Sequence, residues 1–168
     1  MSQVSTQCIS TLQAMKGITA TYRMTNKPAP QRPSPFLHNI LRPLREFEEQ
    51  WGDRAPRSLG GSWREAVLLP VTQKYLDMVL ELLSTVRQME DSLKKRKAKA
   101  RRGSAPAGPS DQDKIMMQLL LDVQEFGREL ASFGLDPDTC EPYKRLLAEV
   151  QPGPGTPAAA EAAASTGS

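Results

Sequence analysis

The sequence is poor in the side chains that chemistry at an active site needs. One histidine and two cysteines stand among 168 residues, and aromatics make up only 5%. His38 lies beside an apolar helical stripe with no cysteine or carboxylate at metal-ligand spacing. No metal site is expected there, and a surface or capping contact is the plain reading. Cys8 and Cys140 are far apart, outside any CxxC pattern, and each falls on an apolar helical face where a free thiol behaves as a small hydrophobe. A disulfide framework is therefore not expected, and a reducing cytosolic setting is. No serine sits in a nucleophile-elbow context, and Gly60-Gly61 lacks the GKS or GKT ending of a phosphate loop. Glu48-Glu49 and Glu90-Asp91 read as solvated faces or intrahelical partners of nearby cations. Neither catalysis nor a cofactor is expected.

Long hydrophobic runs are missing too. No stretch approaches the roughly 18 to 20 apolar residues of a membrane span, and Met1 to Gly17 lacks the continuous apolar centre of a signal peptide. Strand-like alternation is absent. Net charge is only +3 and comes largely from one run, so nothing about the whole molecule argues for nucleic acid.

What the chain has is helical periodicity, cut into blocks by 14 prolines and 11 glycines. Val4, Cys8, Leu12, Met15, Ile18 and Tyr22 step by four and three along one stripe of a first helix. Its other face is Ser- and Thr-rich, and Gly17 costs about 1 kcal/mol against alanine, so packing must hold it. Pro28, Pro30 and Pro33 make 26–35 a semi-rigid connector. Ser34 reads as an N-cap with Pro35 at the first helical position. Behind it Leu37, Ile40 or Leu41, Leu44, Phe47 and Trp51 form a second stripe, kinked at Pro43 and ended by Gly52.

After a loop over 53–61, Ser62 and Glu65 form a capping-box pattern. Leu68, Val71, Tyr75, Met78, Leu82, Val86, Met89 and Leu93 then run in near-heptad, coiled-coil-like spacing. A flanking row of Leu69, Leu76, Val79, Leu80 and Leu83 widens the stripe, which predicts burial against more than one helix. Pro70 predicts a bend near the start. Ser110 caps a fourth helix, with Asp111 and Asp113 in its positive first turn. Its buried side is Ile115, Met116, Leu119, Leu120, Val123, Phe126, Leu130 and Phe133, and Gly134 terminates it with Leu135 folding back. Asp136-Pro137 or Thr139 opens a last short helix with Tyr143, Leu146, Leu147 and Val150 inward.

The expected architecture is all-α, an elongated bundle of about five helices. Residues 1–25 are an N-terminal amphipathic helix and 26–35 the proline-rich connector. Residues 36–150 are the bundle, interrupted by a flexible basic and Gly/Pro/Ala linker over 96–110, and 151–168 a disordered tail.

The sharpest surface feature is Lys94, Lys95, Arg96, Lys97, Lys99, Arg101 and Arg102, seven cations in nine residues. The plain reading is a lysine-rich helix end complementing the helix dipole. The alternatives are contact with an acidic partner or anionic lipid, at about 1 kcal/mol per charge, or a nuclear or nucleic-acid-binding role. The last wants interleaved aromatics for base stacking, and they are missing.

Three tracts are more particular. The first is Tyr22-Arg23-Met24-Thr25-Asn26-Lys27-Pro28, then Pro33-Ser34 and Leu41-Arg42-Pro43-Leu44. The second runs from Tyr75 through Val86-Arg87-Gln88-Met89-Glu90-Asp91-Ser92-Leu93-Lys94. The third is Ser110-Asp111-Gln112-Asp113-Lys114-Ile115, continued by Gln118-Leu119 and Leu121-Asp122-Val123. In order and spacing they resemble the C-terminal domain of subunit two of the conserved oligomeric Golgi complex, from about Met15 to Val150. The resemblance implies a helical-rod tethering protein, peripheral on the cytosolic face of the Golgi, acting in retrograde vesicle capture and so in retention of glycosylation enzymes. It implies contacts with other complex subunits, and with vesicle-fusion (SNARE) proteins and small-GTPase-linked factors. Family members are much longer and carry an N-terminal coiled-coil portion that this sequence does not contain, which implies a fragment, a short isoform or a truncated gene model.

Overall fold

The computed structural model describes residues 2–23, 25–51, 62–99 and 108–151, without the side chains at 62 and 96–99. Among these residues every regular element is helical: α1 (Ser2–Thr11), a 3-10 segment (Leu12–Lys16), α2 (Gly17–Tyr22), α3 (Leu37–Ile40), α4 (Arg42–Trp51), α5 (Ser62–Lys99), α6 (Asp111–Ser132) and α7 (Glu141–Val150). The all-α bundle expected from periodicity is what forms. It has more pieces than expected because the first two blocks each divide.

The first block shows why. All six stripe residues from Val4 to Tyr22 are buried, yet Leu12, Met15 and Ile18 step by three where Val4, Cys8 and Leu12 step by four. A 3-10 turn aligns positions three apart. Tightening over Leu12–Lys16 therefore keeps those three side chains on the face that packs on α5 and α6. On the outer face Thr6, Thr11 and Thr21 turn their hydroxyls onto the carbonyls four residues back.

The second block divides at a proline. Pro43 was expected inside one helix as a kink, but it is the second residue of α4, where a missing amide costs nothing. α3 ends just before, at Ile40. Ser34 does not cap this block either: α3 begins at Leu37, whose amide donates to the Ser34 carbonyl (3.1 Å), and the Ser34 hydroxyl is committed elsewhere.

α5 has 38 residues and α6 has 22, so at 1.5 Å per residue they span about 57 Å and 33 Å. Pro70 lies within α5, which continues through it as one helix. α1 packs on α4 and α5, α2 on α6, and α7 on both α5 and α6, giving a single core. Tyr75 of α5 and Phe126 of α6 meet edge-to-face at its centre, 5.1 Å between ring centroids. The approach of α7 depends on Gly127. A Cβ there would lie 2.6 Å from Cζ of Tyr143, whose hydroxyl donates to the Val123 carbonyl (3.2 Å). Polar ties join the helices: Arg45 of α4 donates to Glu129 of α6 (2.7 Å) and lies over the Phe133 ring, and Arg64 of α5 donates to Glu48 of α4 (2.9 Å).

The ends of α6 follow the expected chemistry. Ser110 accepts from the Asp113 amide (3.1 Å) and Asp113 accepts from the Ser110 amide (2.9 Å), a reciprocal box with aspartate in the acidic place. Gly134 has φ of +81°, and Leu135 and Gly134 donate to the carbonyls of Leu130 and Ala131. The last helix differs from expectation. Asp136 instead forms a turn, accepting from the Asp138 amide, and Cys140 is the residue before α7, with Pro142 in its first turn.

Three residues placed on buried stripes are on the surface. Trp51 is 44% exposed because Trp63 takes the place against Phe47, ring centroids 5.5 Å apart. Leu69 is 38% exposed at the edge of the α5 stripe. Leu93 is 49% exposed because the end of α5 outruns its neighbours. The cap at Ser62, the helix end at Gly52, the 53–61 loop, residues 100–107 of the linker and residues 152–168 of the tail lie outside the described residues.

Candidate interaction site: a buried latch and the surfaces it positions

The connector begins at Asn26, whose φ of +52° turns the chain out of α2, a left-handed conformation asparagine tolerates. Arg32 and Ser34 each precede a proline and are biased toward extended backbone. A non-helical segment of this kind has no helical hydrogen bonds of its own, so its polar groups need partners elsewhere. They find them on α6. The Ser34 amide donates to Oδ1 of Asp122 (2.6 Å) and its hydroxyl to Oδ2 (2.7 Å). Gln118, one turn earlier on the same helix face, donates to the Arg32 carbonyl (3.0 Å) and to Oδ1 of Asp122 (2.8 Å). The Tyr22 hydroxyl completes the set by donating to Oε1 of Gln118 (2.8 Å).

Asp122 is fully buried, and its three hydrogen-bond donors occupy both carboxylate oxygens. Burial raises its carboxyl above the usual value, against the downward pull of the hydrogen bonds from Ser34 and Gln118. Burial also raises the Tyr22 and Tyr75 phenols, and the nearby Asp122 charge adds to both; Tyr75, at the core centre, is pushed well above the usual range. Tyr75 makes no hydrogen bond in the latch; the second tract meets α6 through its ring, edge-to-face on Phe126. Tyr22 and Ser34 from the first tract and Gln118 and Asp122 from the third thus form one hydrogen-bonded set around a buried carboxyl. Sequence reasoning singled out Tyr22 and Ser34 but gave no role to Gln118 or Asp122. Polar residues at i and i+4 inside an apolar stripe were the available signal.

The remaining tract residues are peripheral to the latch. Arg23, Asn26 and Pro28 are exposed, Thr25 donates to the Thr21 carbonyl, and Met24 lies outside the described residues. Lys94 and Lys95 are exposed on the projecting end of α5, beside Leu93, with Lys94 3.5 Å from Glu90. Arg96, Lys97 and Lys99 continue that helix, and Arg101 and Arg102 lie outside the described residues. Two surface grooves flank α5. One, of about 340 Å³, lies between Met15 and Thr19 on one side and Met78, Leu82 and Thr85 on the other. The second, about 590 Å³, is lined by Leu69, Pro70, Leu135, Cys140 and Pro142.

Reactive chemistry is poorly served by this arrangement. Burial pushes the Cys8 thiol up to about 11 and raises Cys140, the reverse of what a thiolate nucleophile needs. His38 does meet carboxylates that sequence spacing could not reveal: Glu125 and Glu129 approach it from α6, with Glu129 at 3.7 Å. His38 is exposed, and Glu129 is already paired with Arg45 at 2.7 Å, so the ion pair of this cluster is Arg45–Glu129 at the surface, with the imidazole beside it. Among the described residues no helix is long and apolar enough to cross a membrane.

Residues 1–123 match the family described as COG complex component, COG2, C-terminal. Conserved oligomeric Golgi complex subunit 2 of Arabidopsis thaliana is 40% identical over 145 residues, covering 80% of this chain and 19% of the relative. The Dictyostelium discoideum and Homo sapiens subunits are 32% and 31% identical over 151 residues, each covering 87% of the chain and 17% and 20% of the relative. No solved structure matches. The chain spans about a fifth of the length of the relatives it matches. With its first and third tracts joined in one latch and its sequence aligned across most of its length, the chain belongs to the family of the C-terminal region of subunit 2 of the conserved oligomeric Golgi complex.

Proposed function

We propose that the chain is a non-catalytic contact module of a Golgi vesicle-tethering complex, peripheral on the cytosolic face of the Golgi membrane. In this reading it supports retrograde transport between cisternae, Golgi organisation and retention of glycosylation enzymes. Its partners are the other subunits of that complex, with vesicle-fusion (SNARE) proteins and small-GTPase-linked factors as further ones; no nucleic acid is involved. The observation that carries the reading is the 40% identity to a named subunit over 80% of the chain. The physics supports the same role. Helices fixed by a buried polar latch and one shared core hold a surface in place, which is what a scaffold requires.

Proximity labelling from the chain in cells tests the reading. Biotinylated Golgi tether subunits, absent from a control with an unrelated helical bundle, are the expected result. Labelling of nuclear proteins or of lipid-surface proteins alone would overturn it.

A second reading rests on the end of α5, where Lys94, Lys95 and the 49%-exposed Leu93 stand clear of the bundle at the start of the seven-cation run. There the run acts as a contact for anionic membrane surface or acidic protein. Sedimentation with phosphatidylserine vesicles, lost when the seven cations are replaced by glutamine, would support it; unchanged sedimentation would remove it.

A further inference from the structure

We infer that Ser34 is a phosphoryl-acceptor site for a proline-directed protein kinase, and that phosphate there unlatches the connector from α6. The inference does not rest on complex membership. Ser34-Pro35 and Thr156-Pro157 are the two Ser/Thr-Pro pairs in the sequence, and Ser34 is the one within the described residues. Kinases take their substrates as extended strands, and Ser34 itself lies outside any helix, between the bend at Arg32 and the turn at 35–36 that opens onto α3. Arg32 and Ser34 each precede a proline, which biases their backbone toward extended geometry, and Arg32 and Pro35 are exposed on either side, Arg32 at a bend and Pro35 in the turn that leads into α3. Pro35 has no amide hydrogen, which excludes kinases that need a hydrogen bond at that position and leaves the proline-directed class. By contrast, Thr6, Thr21, Thr85 and Ser92 lie within helices with their hydroxyls bonded to the preceding turn.

The Ser34 hydroxyl is half-buried and donates to Asp122, so it reaches a kinase only when the connector lifts. The transfer is then ordinary. Ser34 Oγ forms a bond to the γ-phosphorus of ATP, and the bond from that phosphorus to the β–γ bridging oxygen breaks. ADP leaves with the electron pair, and the hydroxyl proton passes to the kinase's base. The structural consequence is particular to this site. The donor that bonded Oδ2 of Asp122 is replaced by a group of charge about −1.5 to −2, which above its second pKa near 6 is mainly a dianion whose oxygens accept and no longer donate. Asp122 is fully buried on α6 facing the connector, and the cation next to the phosphate along the chain, Arg32, is on the exposed side. The modified connector therefore cannot reclose, and phosphorylation traps the lifted state. Lifting uncovers the Tyr22–Gln118 pair and the α6 face beneath.

The test treats the purified chain with magnesium-ATP and a cyclin-dependent-type kinase, beside a synthetic peptide of residues 29–39. Phosphate is located by fragment mass spectrometry, and opening is read by hydrogen exchange. The expected result is phosphate on Ser34 in both, slower in the folded chain, and none at position 34 in Ser34→Ala. The phosphorylated chain should exchange connector and 116–123 amides roughly tenfold faster or more. In Asp122→Asn, which removes the facing charge, the increase caused by phosphate should be smaller. A peptide that accepts phosphate while the chain does not would overturn the inference. So would phosphorylation of neither, unchanged exchange after modification, or an equal increase in Asp122→Asn.

Discussion

Replacing Asp122 with alanine removes the acceptor for three donors: the Ser34 amide at 2.6 Å, the Ser34 hydroxyl at 2.7 Å and Nε2 of Gln118 at 2.8 Å. A hydrogen bond to a charged group contributes about 1.5–3 kcal/mol net. The losses do not add at full value, for two reasons seen in the structure. Ser34 is half-exposed, so its two donors regain water as the connector loosens, and Gln118 keeps its bond to the Arg32 carbonyl. Removing the carboxylate also relieves a buried charge whose desolvation already raises its pKa. The net loss is about 2–3 kcal/mol, concentrated in the connector rather than in α5. The sign of the pH dependence comes from the same shift. A carboxyl whose folded pKa is raised contributes its stability in full below the unfolded value and loses it as pH rises through the folded one. Wild-type stability should therefore fall from about pH 4 upward by an increment missing in Asp122→Asn. Urea unfolding across pH, with hydrogen exchange to locate the loss, measures both. A change in Asp122→Ala under about 0.5 kcal/mol with connector protection intact would refute the reasoning, because surface-like tolerance has that size.

Three further outcomes are expected. Tyr75→Phe should be neutral or stabilising by up to about 1–2 kcal/mol, since the buried Tyr75 hydroxyl has no partner among the described residues; denaturant midpoints check it. Gly127→Ala should cost about 1–3 kcal/mol by forcing Tyr143 off α6, with the exchange change appearing first in α7. Ser110→Ala should cost about 1 kcal/mol through loss of the α6 cap, measured by thermal melting.

Much of the fold was legible because it is local. The stripe from Val4 to Tyr22, the Ser110 cap and the Gly134 terminator depend on neighbours within a turn or two, and each forms. The misplacements came from tertiary competition. Trp51 lost its site to Trp63, and Leu93 had no helix opposite it. Ser34 shows the limit most clearly. Its position before Pro35 carries a strong local capping signal, yet its hydroxyl bonds a carboxylate 88 residues away. No periodicity encodes that pairing. Asp122 and Gln118 read individually as polar interruptions of an apolar face, and only their i, i+4 spacing hinted that they act together. The three tracts could thus be matched to a family before there was any physical reason for them to go together.

That the chain works by presenting a folded contact surface to tether subunits is tested most directly by reconstitution. The purified chain would be mixed with the other subunits of the complex at micromolar concentration and resolved by size-exclusion chromatography. The account predicts co-elution of the wild-type chain and weakened co-elution of Asp122→Ala, whose connector and α6 face are loosened. Elution of the wild-type chain as a free monomer at every concentration up to tens of micromolar, a range that detects Kd values near 1 μM or about −8 kcal/mol, would contradict it.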